Sequence, residues 1–280
     1  MDRLLVIDGN NLLFQMFYGM PAPIYNKRGR PIHGTIGFIS FVIKEIKLLK
    51  ATKAIVVFDG DGAKERIEEY PEYKANRGND WENLPPEEVP FTQEDDIKSA
   101  LDYMDIKYIY SEVTEADDFI ASIAKIGEER GDVVVSSFDS DFFQLISDRV
   151  SVLRYRGKAS AMWNKNKFYE EFGFSPSLYS LYKAITGDSA DNIKGVEGMG
   201  KKRTSLFVRE YEKTGSFDDL SLPQSIKNRI SDSESVIKRN KSLIEFKSVE
   251  VGIDYENLCF SLERVEEGNS KVLEKAGVFS

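Results

Sequence analysis

Four short apolar runs along the chain each lead into acid. Leu4-Leu5-Val6-Ile7 runs into Asp8, and Ala54-Ile55-Val56-Val57-Phe58 into Asp59. Lys107-Tyr108-Ile109-Tyr110 precedes Glu115, Asp117 and Asp118, and Val133-Val134-Val135 leads to Asp139 and Asp141. Each run is about 4–6 residues long and β-branched or aromatic, as expected of buried parallel strands. Helical spacing separates them. Apolar residues recur helically from Phe38 to Leu49, and Asp117-Asp118 open a second helical stretch, where the helix dipole favours acids. Strands alternating with helices predict an α/β fold with a mostly parallel sheet flanked by helices. In such sheets ligands bind beyond the carboxyl ends of the strands, where all four acidic groups fall.

From Pro176 onward the pattern is mostly helical, broken by Gly195-Val196-Glu197-Gly198-Met199-Gly200. A soft boundary near residue 170 is expected. Residues 78–96 carry few aliphatics, three prolines and seven acids, which predicts a long loop or cap over the sheet. His33, between Pro31 and Gly34, has a turn-like setting and a structural or surface role. Cys259, between Leu258 and Phe260, is expected in an apolar strand.

Composition narrows the chemistry. One cysteine allows no intrachain disulfide and no cysteine zinc cluster, and one histidine makes histidine metal sites and a Ser-His-Asp triad poor readings. No segment reaches the roughly 18–20 apolar residues of a membrane span. No basic leader precedes Leu4, so no secretory signal is read and a cytoplasmic location is expected. The formal net charge is −9. Nine acids account for it: Asp8, Asp59, Glu115, Asp117, Asp118, Asp139, Asp141, Asp188 and Asp191. Setting them aside leaves the chain formally neutral. An isolated Asp after a strand is usually a cap or turn former. Acids after four strands in one chain are read together, as oxygen ligands for hard divalent cations. Two such ions would relieve their repulsion and clamp the attacking and leaving oxygens of a phosphodiester.

These motifs resemble those of the bacterial and phage 5′-nuclease family, which includes the 5′ nuclease domain of DNA polymerase I and belongs to the flap endonuclease superfamily. The resemblance rests on Asp8-Gly9-Asn10-Asn11-Leu12, on Phe58-Asp59 with Arg66 and Tyr73-Lys74-Ala75-Asn76-Arg77, and on Glu115-Ala116-Asp117-Asp118 and Asp139-Ser140-Asp141. It extends to Gly187-Asp188-Ser189-Ala190-Asp191-Asn192-Ile193 and the glycine stretch that follows. It implies a PIN-like catalytic domain over residues 1–170, with an arch over about 74–97. It also implies a helix-three-turn-helix DNA-binding region over residues 171–280. The implied activity is metal-dependent hydrolysis of DNA at 5′ ends and 5′ flaps, with two Mg²⁺ or Mn²⁺. Asp8, Asp59, Glu115, Asp117 and Asp139 would surround the first ion, and Asp141, Asp188 and Asp191 would serve the second, with Asp118 near both. Lys74 and Arg77 would stabilise charge on the phosphate. Tyr73 would either stack on a terminal base or pack the arch base. Arg66, Gly195, Gly198, Gly200, Lys201, Lys202 and Arg203 would contact the DNA backbone, and the glycine turn would also take K⁺ on its carbonyls.

The sequence departs from the family at Gln15, where an arginine is common, and at Arg203, where a small residue is usual. The arch is acidic, and Trp81 in it either stacks on a base or anchors the segment. Lys238, Arg239, Lys241 and Lys247 form a basic run, either a duplex contact or a solvated helix face. Two further readings stay open: removal of RNA primers from RNA–DNA hybrids, and junction binding without cleavage. The partner is DNA with a 5′ end or flap, without a membrane, and the expected state is a monomer.

Overall fold

All four acid-terminated runs form strands. The computed structural model describes residues 2–60, 62, 64–76, 78, 81–112, 114–216 and 220–280. In chain order the elements are β1 (Asp2–Asp8), α1 (Gly9–Gly19), α2 (His33–Leu49), β2 (Lys53–Asp59), α3 (Lys64–Glu69), α4 (Glu94–Tyr103), β3 (Lys107–Ser111), α5 (Ala116–Glu128) and β4 (Gly131–Ser136). There follow β5 (Val150–Arg154), β6 (Ala161–Trp163), α6 (Lys165–Phe172), α7 (Tyr179–Thr186), β7 (Gly187–Asp188), β8 (Ile193–Lys194), α8 (Lys201–Thr214), α9 (Gln224–Asp232), α10 (Glu234–Ile244), α11 (Leu262–Glu266) and α12 (Asn269–Lys275). Among the described residues no helix is long and apolar enough to cross a membrane.

The contacts group the chain into two units. Residues 1–62, 79–138 and 248–280 form the first, and residues 63–78 and 139–247 the second. Residues 139–170 thus group with the helices that follow them. The reason is aromatic packing: Phe143 lies against Trp163, Phe168 and Tyr179, which binds residues 139–170 to the helices that follow.

In the first unit the strands run parallel in the order β3-β2-β1-β4. Val6 pairs with Ile55 on one side and Val135 on the other, and all three are fully buried. Each such side chain contributes about 1.5–3 kcal/mol relative to exposure. Helix α5 packs on β1 and β4, and α1 packs on α2. Helix α2 ends where Lys50 turns left-handed (φ 52°), its amide taken by the Ile46 and Lys47 carbonyls. This sheet register brings Asp8 and Asp59 to the carboxyl ends of neighbouring strands.

Three expectations need correction here. His33 does not sit in a turn; it opens α2, buried against the Phe17 ring and 3.4 Å from Gln93 through Nδ1. Residues 94–96 are not loop: Glu94, Asp95 and Asp96 form the first turn of α4, where acids complement the dipole. Ahead of them the cap runs through short 3₁₀ turns at Trp81–Asn83, Pro86–Glu88 and Pro90–Gln93. Cys259 lies in no strand; it is exposed after a 3₁₀ turn capped by Asp254, beside the Lys53 ammonium. Its neighbours Leu258 and Phe260 differ in burial, which the apolar letters alone do not reveal.

In the second unit β5 and β6 pair antiparallel, and β7 and β8 form a two-stranded ribbon between α7 and α8. Helix α10 packs along α7. Asn240, fully buried on α10, donates to the carbonyls of Ala184 and Lys194 and so ties α7 and β8 to one helix.

Candidate active site

In the first unit the acids are set by strand ends and helix starts. Asp8 closes β1 and caps α1, accepting from the Asn11 amide at 3.0 Å; its other oxygen accepts from Ser137 Oγ at 2.7 Å, just past β4. Asp59 closes β2, accepts from the Ala116 amide at 3.0 Å and is exposed. Its own amide donates to Asn10 Oδ1. The Ala116 contact sets Asp59 beside the start of α5, where Glu115 is the N-cap residue and Asp117 and Asp118 fill the first turn. Asp118 is fully buried and accepts from Thr114 Oγ1.

In the second unit Asp139 caps a 3₁₀ turn and accepts from the Asp141 amide at 2.8 Å. Oxygens of Asp141, Asp188 and Asp191 lie within 4.8 Å of one another, and among the described residues no other trio of candidate ligands approaches so closely. A lysine that the sequence reading passed over, Lys183 on α7, is buried and donates to both Asp141 and Asp188. Burial and the neighbouring Asp139 push the Asp141 carboxyl up to about 7, although Lys183 opposes them. Burial also works against charge on Asp188, but there Lys183 outweighs it and the carboxyl sits below its usual range. Lys183 is itself held well above an ordinary lysine: burial disfavours its charge, and the two carboxylates more than compensate.

Several carboxylates facing one lysine leave a surplus of negative charge. An all-oxygen donor set of this kind fits a hard divalent cation such as Mg²⁺ or Mn²⁺. Lys183 marks the place in the cluster where positive charge is already demanded.

The segment carrying Lys74 is stitched to this cluster. The Lys74 amide donates to the Asp191 carbonyl at 3.0 Å, Asn76 Nδ2 to the Ser189 carbonyl at 3.1 Å, and Asn192 Nδ2 back to the Glu72 carbonyl at 2.8 Å. Lys74 and Asn192 both adopt left-handed backbone (φ 53° and 57°), a strained conformation for residues with side chains and one that gathers at functional sites. Tyr73 is buried, with the Lys74 ammonium 5.0 Å over its ring, so of its two readings it is the packing one that the structure supports. Arg77 lies outside the described residues.

Arg66 does not face solvent as a DNA contact would. It is buried on α3, and its guanidinium donates to the carbonyls of Leu243 and Glu245 at the end of α10. Those carbonyls have no intrahelical partner, and a cation there also suits the dipole. The basic run is likewise engaged: Arg239 stacks 4.4 Å over Tyr70, Lys241 pairs with Glu245, and Lys247 with Glu65. Trp81 packs on Phe14 and Phe91, as an anchor would.

The glycine stretch joins β8 to α8. A Cβ on Gly195 would lie 2.4 Å from the Thr186 backbone, so the ribbon closes only with glycine there. Gly198 has φ +74°, and a Cβ would meet the Arg229 guanidinium at 2.7 Å. Gly200 has open space around it and precedes α8 without a capping side chain. The exposed Lys201, Lys202 and Arg203 fill the first turn of α8. Cations at a helix N-terminus run against its dipole, typically by 0.3–1 kcal/mol each, so this end is built for an anion.

Residues 3–173 match the family described as 5′-3′ exonuclease, N-terminal resolvase-like domain. The 5′-3′ exonuclease of Bacillus subtilis (strain 168) is 32% identical over 270 residues, covering 94% of this chain and 89% of that protein. The thermostable DNA polymerase I of Thermus aquaticus is 31% identical over 283 residues; the match takes in 95% of this chain and 32% of the polymerase. A bacteriophage T5 flap endonuclease, solved as a pseudo-enzyme-product complex with DNA and metal ions, superposes with a TM-score of 0.70 at 26% identity, covering 98% of this chain and 99% of that one. The fold and its acids thus define a nuclease class of α/β protein. The chain belongs to the 5′-3′ exonuclease family.

Proposed function

We propose that this chain is a structure-selective, divalent-metal-dependent 5′ nuclease, which hydrolyses DNA phosphodiesters at 5′ ends and 5′ flaps. The observation that carries the reading is the attachment of Lys74 to Asp191 beside the Asp141–Asp188–Lys183 cluster. A cation donor for phosphate and a carboxylate trio for a divalent ion are thereby held on one backbone junction. Asp141, Asp188 and Asp191 are the proposed ligands of one ion. Asp8, Asp59, Glu115, Asp117, Asp118 and Asp139 are proposed to be needed for metal-dependent cleavage as well. When bound, such ions supply Lewis acidity: a water of lowered pKa and neutralised charge on phosphate oxygens.

The chain's own groups do the rest. Lys183 orients Asp141 and Asp188 and limits their repulsion. Lys74 and Arg77 are proposed to stabilise the charge that builds on the phosphate. The first turn of α8, with Lys201, Lys202 and Arg203, binds the duplex backbone without reading sequence. The single imidazole, His33, is buried against Phe17 and Gln93, so the reading uses no histidine base.

The test uses three end-labelled substrates, a 5′-flap duplex, a blunt duplex and an RNA–DNA hybrid, each in EDTA, Mg²⁺ and Mn²⁺. Products bearing 5′-phosphate that require the metal are expected from the flap and the duplex. Preference for the hybrid would shift the assignment to primer removal. Tight binding without cleavage in any metal would overturn the proposal in favour of a junction-binding protein.

A further inference from the structure

Every backbone carbonyl from residue 196 to residue 200 already has a donor. The Val196 carbonyl accepts from the Met199 amide, and the Gly200 carbonyl from the Thr204 amide. The three between them are taken by side chains of the flanking helices. Arg229 Nη1, from α9, donates to the Glu197 carbonyl at 2.8 Å; Arg203 Nη1 donates to the Gly198 carbonyl at 2.8 Å; and Thr204 Oγ1 donates to the Met199 carbonyl at 3.0 Å. The Arg229 guanidinium also lies where a Cβ of residue 198 would be, so glycine at that position and arginine at 229 fit as a pair.

We infer that Arg203 and Arg229 form a guanidinium clamp that holds this turn in place of a bound monovalent cation and receives a backbone phosphate of the duplex. K⁺ does not fit the turn as the family resemblance implies, because two guanidiniums already sit on adjacent carbonyls and their charge repels a further cation. The clamp has charge to spare. Two guanidiniums sit on consecutive carbonyls, both side chains are exposed, and among the described residues neither pairs with a carboxylate. Each has further N–H groups in a planar fork suited to phosphate. The amides of the first α8 turn beside them have no intrahelical acceptor. Like charges so placed repel unless an anion joins them. Arg229 lies about 30 residues beyond the glycine motif, so the motif alone does not reveal it.

The inference rests on the reading of this turn as a DNA grip, and the experiment separates the two. Binding of a 5′-flap duplex is measured in Ca²⁺ at one ionic strength set by KCl, NaCl or tetramethylammonium chloride. The native chain is expected to bind within about twofold in all three, with Arg229→Gln at least about tenfold weaker and the slope of log affinity against log salt smaller by about one. Glutamine keeps an N–H for the Glu197 carbonyl but loses the charge, and an unchanged thermal melt confirms that the turn is intact. A binding requirement for K⁺, or an Arg229→Gln protein with native affinity and salt slope, would overturn the clamp. Native affinity in Lys201→Ala/Lys202→Ala would instead remove the DNA-grip reading, and the clamp with it.

Discussion

Lys183 is about as buried as the carboxylates it contacts, and a buried ammonium is tolerable only because it is paired. Lys183→Met should destabilise the metal-free protein by about 3–5 kcal/mol, the cost of stranding a buried charge. Mg²⁺ should then raise its melting temperature more than it raises that of the native chain. Equal shifts would mean that lysine and metal answer different charges. Arg66→Met should cost about 1–3 kcal/mol by leaving two carbonyls without their donor, and should leave the salt slope of DNA binding unchanged. A smaller slope would return Arg66 to the DNA interface. His33 makes a pH prediction. Burial lowers its pKa below the usual 6.5, so the unfolded chain takes up the proton first as pH falls. Its contribution is complete above 6.5 and is lost as pH drops from 6.5 toward the folded value. His33→Gln should therefore flatten the acid limb of a melting-temperature profile over that window; an unaltered limb would place the proton uptake elsewhere. The places of Asp8 and Asp59 at strand ends and of Asp118 in a first helical turn were legible because strand and helix starts are visible in one dimension. Lys183 was not, since a lysine on a helix reads as solvated until its partners are known. Arg66 was misread because its acceptors lie 177 residues away in sequence at Leu243.

At the scale of elements, the parallel strands and α5 were readable because their hydrophobic spacing is set by burial alone. The start of α4 was not. Glu94-Asp95-Asp96 adjoin an acidic, proline-bearing stretch, and composition made them look like its continuation, whereas their charge stabilises a helix start. Cys259 misled in the opposite sense, with apolar neighbours suggesting a strand where a capped 3₁₀ turn forms. The segment from Trp81 to Gln93 has few aliphatic residues, so its aromatic contacts carry its order. The Trp81 ring stands 5.8 Å from Phe14 and 5.7 Å from Phe91. Trp81→Ala should speed amide exchange across residues 81–93 by at least about tenfold, the signature of local opening, with little change elsewhere. Unchanged protection there would show that the prolines and the Thr92 and Gln93 hydrogen bonds hold the segment without the indole.

For the whole molecule, the net charge of −9 equals the number of acids proposed as metal ligands. The cations gathered in the first turn of α8 act locally, since charges more than about 8–10 Å away are largely screened at physiological salt. The line between the two units was not legible, because it depends on which aromatic side chains meet Phe143, and hydrophobic pattern does not specify partners. It places Asp118 in one unit and Asp188 in the other. Asp118 and Asp188 are both proposed to be required for metal-dependent cleavage. The most direct measurement is single-turnover cleavage of a 5′-flap in Mg²⁺ by the native chain, Asp118→Asn and Asp188→Asn, with affinity for the same DNA measured in Ca²⁺. Each substitution should lower the cleavage rate by at least about 10²-fold, beyond the loss usual for a metal site's outer partners, while affinity stays within about threefold. Native cleavage by either variant would contradict it.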